Sequence, residues 1–110
     1  MWKFFLQVID LNVYYSLGKY NFEWDSEKAE KNLKKHKIAF EDAALVFLDD
    51  DRLDDYDELH SDFEDRFKIV GKVGKILTVI YTERGENYRI ISARFANKQE
   101  QEDYYEQFYY

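Results

Sequence analysis

Residues 65–95 read DRFKIVGKVGKILTVIYTERGENYRIISARF, and this stretch decides the architecture. From Asp65 the pattern has period two: Phe67, Ile69 and Gly71 alternate with Arg66, Lys68 and Val70. Val73-Gly74 reads as a turn, Ile76 to Glu83 as a β-branched strand, Arg84 to Asn87 as a Gly-containing turn, and Tyr88 to Phe95 as a third strand. Three strands joined by short turns make an antiparallel meander. Tight turns set Arg66, Lys68, Tyr81, Glu83, Ser92 and Arg94 on one face with Leu77, Val79 and Ile90. The other face receives Phe67, Ile69, Ile76, Ile80, Ile91 and Phe95, and it is expected to be the helix-covered core, leaving the first face partly solvated.

Upstream of the meander, Phe22-Glu23-Trp24 reads as a short strand, and Asp25-Ser26 supplies N-cap chemistry for a helix running through Lys35 or His36. Glu27/Lys31 and Glu30/Lys34 stand at i,i+4 in the favourable order, and Ala29 and Leu33 are expected to mark the buried stripe. Phe40, Ala43, Ala44 and Phe47 space a second short helix that Asp49-Asp50-Asp51 stops. The charged stretch 49–65 reads as loop with one short strand. Downstream, Lys98 to Gln107 is expected to be a closing helix followed by the aromatic tail Phe108-Tyr109-Tyr110. The fold class is therefore α+β: an antiparallel meander with two N-terminal helices and a C-terminal helix.

A chain of 110 residues has room for one hydrophobic core, and nine Phe, ten Tyr and two Trp supply the apolar volume despite 35% charged residues. It has no cysteine, which excludes disulfides, thiolate metal sites and a Cys nucleophile and suits a reducing cytoplasm. The apolar run between Met1 and Leu17 is broken by Gln7, Asp10 and Asn12 with no small-residue cleavage site before Gly18, which argues against a signal peptide; nowhere is there a membrane-length apolar stretch. The net charge of −7 opposes nucleic-acid binding taken alone, but it is unevenly distributed. Residues 41–65 hold twelve acids and one base, Arg52, whereas residues 66–98 hold eight bases and two acids, Glu83 and Glu86. The working surface is expected on the basic sheet.

The strings Phe22-Glu23-Trp24-Asp25, Lys28, Asn32, His36, Phe40-Glu41, Ala43-Ala44 and Val46-Phe47, then His60-Ser61, Glu64-Asp65-Arg66-Phe67, Tyr81-Thr82-Glu83-Arg84 and Arg89-Ile90-Ile91-Ser92-Ala93-Arg94, resemble the BrnT toxin family over residues 21–104 or so. That resemblance implies a RelE-like fold and a metal-independent endoribonuclease toxin, which inhibits translation by RNA cleavage. It further implies no cofactor, a BrnA-like antitoxin as partner, RNA as substrate, and operator DNA contacted only through the antitoxin. In such chemistry the RNA 2′-hydroxyl attacks the adjacent phosphate, the leaving 5′-oxygen needs a proton, and basic side chains meet the growing phosphate charge. By position it implies Arg66, Glu83, Arg84, Arg94 and His36 as catalytic candidates, and Lys35, Lys68 and Arg89 as RNA-binding ones. Where the family has a second Arg after Ser-Ala-Arg this chain has Phe95, and its closing helix carries Glu100, Glu102, Asp103 and Glu106, so weaker phosphate affinity is expected.

Residues 1–20 have no counterpart in that pattern and are set apart from the domain at 21–110, as an added strand, an interface or an upstream extension of the natural start. Several candidates have plainer readings. His36 near a helix end is ordinarily a dipole contact. His60, in an acidic loop with Asp57, Glu58 and Asp62, is either a surface residue or an acid–base group. The acidic run from Asp49 to Glu58 lacks the Gly of a calcium loop and reads as solvated surface or as a seat for basic antitoxin residues. Tyr104, Tyr105, Phe108, Tyr109 and Tyr110 read as a core-facing aromatic helix face, with base stacking as the alternative.

Overall fold

The structure, a computed structural model, describes residues 11–109. Among the described residues six strands form one mixed sheet: β1 (Asn12–Leu17), β2 (Tyr20–Asp25), β3 (Leu53–Tyr56), β4 (Phe67–Val73), β5 (Lys75–Arg84) and β6 (Asn87–Phe95), in the spatial order β1-β2-β6-β5-β4-β3. The meander over β4, β5 and β6 is as the alternation predicts, and β3 extends it antiparallel. The expected wholly antiparallel sheet is corrected by β2, which lies parallel to β6 through Phe22↔Tyr88 and Glu23↔Arg89. β1 pairs antiparallel with β2 along its full length, which makes residues 12–17 a strand of this sheet.

Helix α1 (Ser26–His36) begins where Asp25 Oδ1 accepts hydrogen bonds from the backbone N–H groups of Glu27 at 2.9 Å and Lys28 at 3.0 Å. It ends at Lys37, whose φ of 64° is left-handed. The Glu30–Lys34 pair forms at 3.1 Å. The buried stripe differs from expectation: Leu33 is exposed, whereas Asn32 is buried between α1 and β6. Its Nδ2 donates to the carbonyls of Ile38 (3.0 Å) and Ala93 (2.9 Å), and its Oδ1 accepts from the Ala93 N–H (3.1 Å). A polar side chain is stable there because all three contacts replace water. Helix α2 (Phe40–Ala44) runs into a 3-10 turn at Leu45–Leu48.

The main core lies between α1, α2 and one face of the sheet, where Phe22, Trp24, Phe40, Val46, Ile69, Val79 and Ile90 are almost wholly buried. Each such side chain stabilises the fold by roughly 1.5–3 kcal/mol. Helix α3 (Lys98–Glu106) packs on the opposite face, over Val70, Ile76 and Ala96, through Tyr104. The Tyr104 hydroxyl donates to Asp49 Oδ2 at 2.6 Å, and that oxygen also accepts the Lys72 N–H at 2.7 Å. Of the aromatic helix face read as core, Tyr104 is buried, whereas Tyr105, Phe108 and Tyr109 are exposed; Tyr110 lies outside the described residues.

Two local features change the faces read from alternation. Gly74, at φ 70°, is alone at the apex of the β4–β5 turn, so Val73 pairs with Lys75 and the register is one residue from that of a two-residue turn. In β6, Ile80 pairs with Ser92 but Tyr81 pairs with Ile90, which leaves Ile91 as a bulge and inverts the alternation beyond it. Leu77, Val79, Tyr81 and Ile90 therefore face the helices, and Ile76 packs under α3 instead. Lys68, Ile80 and Ser92 share the opposite face with Arg94.

Candidate functional site

That opposite face is only partly covered by α3. Its uncovered part forms a cavity of about 420 Å³ with Lys68, Ile80, Ile91, Ser92 and Arg94 from the sheet, closed on one side by Asp55, Tyr56, Asp57, Leu59, His60 and Arg66. Three cations from two separate stretches of chain thus line one concave surface.

Arg66 immediately precedes β4 and is held by the loop that closes on it. The Asp57 N–H donates to the Arg66 carbonyl (2.8 Å), the Arg66 N–H donates to Ser61 Oγ (2.9 Å), and Ser61 Oγ donates to the Asp57 carbonyl (2.6 Å). Its Nη2 lies 3.6 Å from Glu64, while its Nε is buried and makes no hydrogen bond. An unsatisfied buried donor is costly. In the same loop His60 Nδ1 lies 2.9 Å from Asp57 Oδ2.

Arg94 and Lys68 share one counter-ion. Glu100, on α3, accepts Arg94 Nη1 at 2.7 Å and Nη2 at 3.0 Å in a two-pronged contact, and Lys68 Nζ lies 3.2 Å away. Thr78 Oγ1 donates to the same carboxylate at 3.0 Å, and so does the Asn97 N–H at 2.9 Å. The last bond is half of a capping box, since Asn97 Oδ1 in turn accepts the Glu100 N–H. Burial pushes the Glu100 carboxyl up, but Arg94, Asn97, Lys68 and Thr78 together outweigh it and hold it at about 2. Glu100 is therefore an anion fixed beneath two of the three bases.

The remaining sequence candidates lie elsewhere. Arg89 is tied by Nη1 to Glu23 Oε2 (2.7 Å) and Asn12 Oδ1 (3.1 Å), joining β6 to β2 and β1. Arg84 stands at the end of β5, 3.9 Å from Glu64, outside the cavity lining. Glu83 is exposed opposite Tyr88. Lys35 and His36 occupy the last turn of α1, on the helix-covered side of the sheet. Tyr81, expected beside the bases, instead donates from its hydroxyl to Asp54 Oδ1 at 3.1 Å. Burial, reinforced by Asp54, pushes its phenol above the ordinary range. The residues that sequence reasoning passed over are Glu100, treated only as a diluting acid, and Asp57, treated only as a neighbour of His60. The Asn97-x-x-Glu100 spacing of a capping box was the available signal for the first.

Among the described residues no three His, Cys, Asp or Glu side chains are grouped to hold a metal ion, and no helix is long and apolar enough to cross a membrane.

The family pattern described as the ribonuclease toxin BrnT of type II toxin-antitoxin systems matches residues 24–100, most of the chain. The chain belongs to the BrnT family. Among solved structures, the Brucella abortus ribonuclease toxin BrnT matches with a TM-score of 0.52 and 26% identity, covering 68% of this chain and 94% of that one. No curated protein sequence matches the chain. Membership makes this a ribonuclease toxin family member with an antitoxin as its class of partner, and the BrnT pattern spans α1, the whole meander and the cavity.

Proposed function

We propose that this BrnT-family chain is an endoribonuclease working without a metal, with Arg66, Lys68 and Arg94 as its phosphate-binding groups. The observation that carries the reading is the single cavity lined by all three cations. In-line attack by a 2′-hydroxyl concentrates charge on the non-bridging phosphate oxygens, and fixed guanidinium and ammonium groups stabilise it. Cleavage of RNA in the cytoplasm would inhibit translation, as expected of a toxin with a RelE-like fold. A BrnA-like antitoxin would neutralise it and would make the contacts to operator DNA. The acidic edge strand β3, with Asp55 exposed at the cavity rim, supports basic antitoxin residues as the complementary surface. Charge reversal at Asp54 and Asp55 should then abolish the complex in a pull-down with the antitoxin.

Incubation of the partner-free protein with mixed RNA in EDTA, beside Arg66→Ala/Arg94→Ala, tests the enzyme. Cleavage leaving 5′-hydroxyl ends, lost in the double variant, is the expected result. Intact RNA with folded wild-type protein favours a second reading, a family member that binds its partner and cleaves nothing. Glu100 motivates that alternative, because it already occupies Arg94 and Lys68.

A further inference from the structure

We infer that His60, oriented by Asp57, is the proton acceptor of this cavity, an assignment that rests on the ribonuclease reading above. His60 Nδ1 lies 2.9 Å from Asp57 Oδ2 and 3.1 Å from Oδ1. The Asp57 side chain is 16% exposed and the imidazole 66%, so a largely buried carboxylate holds a ring that solvent and substrate can reach. A carboxylate on Nδ1 keeps the proton of the neutral ring on that nitrogen, which leaves the Nε2 lone pair free to accept another.

An exposed His–Asp pair is ordinarily only a surface ion pair. Two observations separate this one from that reading. His60 lines the same cavity as Arg66, Lys68 and Arg94. The loop that carries it is closed by the Asp57 N–H on the Arg66 carbonyl and by the Arg66 N–H on Ser61 Oγ, so the segment that sets the imidazole also sets the first phosphate-binding guanidinium. Base and electrophile-binding group are thus positioned together.

In the step this implies, the 2′-oxygen forms a bond to phosphorus while its proton passes to His60 Nε2. The bond from phosphorus to the 5′-oxygen breaks, its electron pair stays on that oxygen, and the oxygen takes a proton from water. The products are a 2′,3′-cyclic phosphate and a 5′-hydroxyl. The resulting hydroxide neutralises the imidazolium, which Asp57 has stabilised meanwhile, and the site is restored.

The charged groups that share the cavity with the imidazole are Asp57, which touches it, Asp55 from β3, Arg66 just before β4, Lys68 in β4 and Arg94 in β6, with Glu100 of α3 bound to the last two. Among these side-chain types only imidazole ordinarily changes charge between pH 5 and 8. Turnover of mixed RNA at saturation is therefore measured from pH 5 to 8 for the wild type, His60→Ala, His60→Gln and Asp57→Asn, with circular dichroism confirming each fold. The expected result is a loss of roughly 10²–10⁴-fold in kcat for both His60 variants, with KM little changed and the rise of rate from acid to neutral pH abolished. Added imidazole should restore part of the turnover of His60→Ala. Asp57→Asn should lower kcat but keep the rise, because the imidazole remains. A His60→Gln protein that cleaves at the wild-type rate with the wild-type pH profile overturns the assignment and leaves the ribonuclease standing. A folded wild type that cleaves nothing overturns both.

Discussion

Glu100→Gln removes one charge from a carboxylate that is 5% exposed and spans β5, β6 and α3 through Thr78, Arg94 and Asn97. The size of the effect follows from its protonation. The carboxyl stands at about 2 against an ordinary 4.5, and each unit of difference between folded and unfolded chains corresponds to about 1.4 kcal/mol. Arg94 and Lys68 keep about a third of their side-chain surface in solvent, which screens part of the attraction. The charge-specific loss is then about 2–3 kcal/mol at neutral pH, or roughly 10–20 °C in the thermal midpoint of a domain this size. The folded protein binds this proton less readily than the unfolded chain, so the stabilisation is complete above 4.5 and is lost as the pH falls toward 2. Melting curves of both proteins at pH 7, 4 and 3 should show a wide gap that narrows steadily. Equal midpoints at pH 7, or a gap undiminished at pH 3, would refute the reasoning, the first by denying the network and the second by denying that its charge matters.

Asn32→Ala leaves the carbonyls of Ile38 and Ala93 and the Ala93 N–H without their partner, and should cost about 2–4 kcal/mol in urea unfolding. The same variant should lose hydrogen-exchange protection at the Ala93 amide. Gly71→Ala sets a methyl group 2.7 Å from Val46 Cγ1 and 3.3 Å from the Val46 carbonyl, an overpacking expected to lower stability by about 1–3 kcal/mol; an unchanged denaturation midpoint would show that the 3-10 turn yields. Tyr15 packs its ring 5.6 Å from that of Trp24, so Tyr15→Ala should cost about 1–2 kcal/mol, and a silent substitution would demote β1 to an appendage.

The elements were legible because their signals are local: period two from Phe67 onward, Gly74 and Gly85 at the turns, and Asp25 at the start of α1. The faces were harder. The single-residue turn at Gly74 and the bulge at Ile91 each invert an alternation, and neither leaves a composition signal. Their effects cancel between β4 and β6, which is why Arg66, Lys68, Ser92 and Arg94 were correctly grouped while Tyr81, Glu83 and Ile90 were grouped with them in error. The parallel pairing of β2 with β6 joins segments distant in sequence and has no local signature at all. In α1 the apolar stripe drew attention to Leu33, yet the contact with the sheet is the amide of Asn32. Arg89 shows the limit of charge as a guide, since its guanidinium serves a strand-to-strand ion pair.

Strand β2 is made well before one of its neighbours in the sheet, β6, with both N-terminal helices and β3, β4 and β5 in between. A chain emerging from its amino end can form the β1–β2 hairpin and α1 promptly, yet Phe22 and Trp24 must wait for residues 87–95 before their burial is complete. Arg94 lies in that strand and Glu100 follows it closely. The nascent polypeptide consequently lacks a finished cavity until residues 87–100 have left the ribosome, a delay during which the cell holds a precursor without the assembled site.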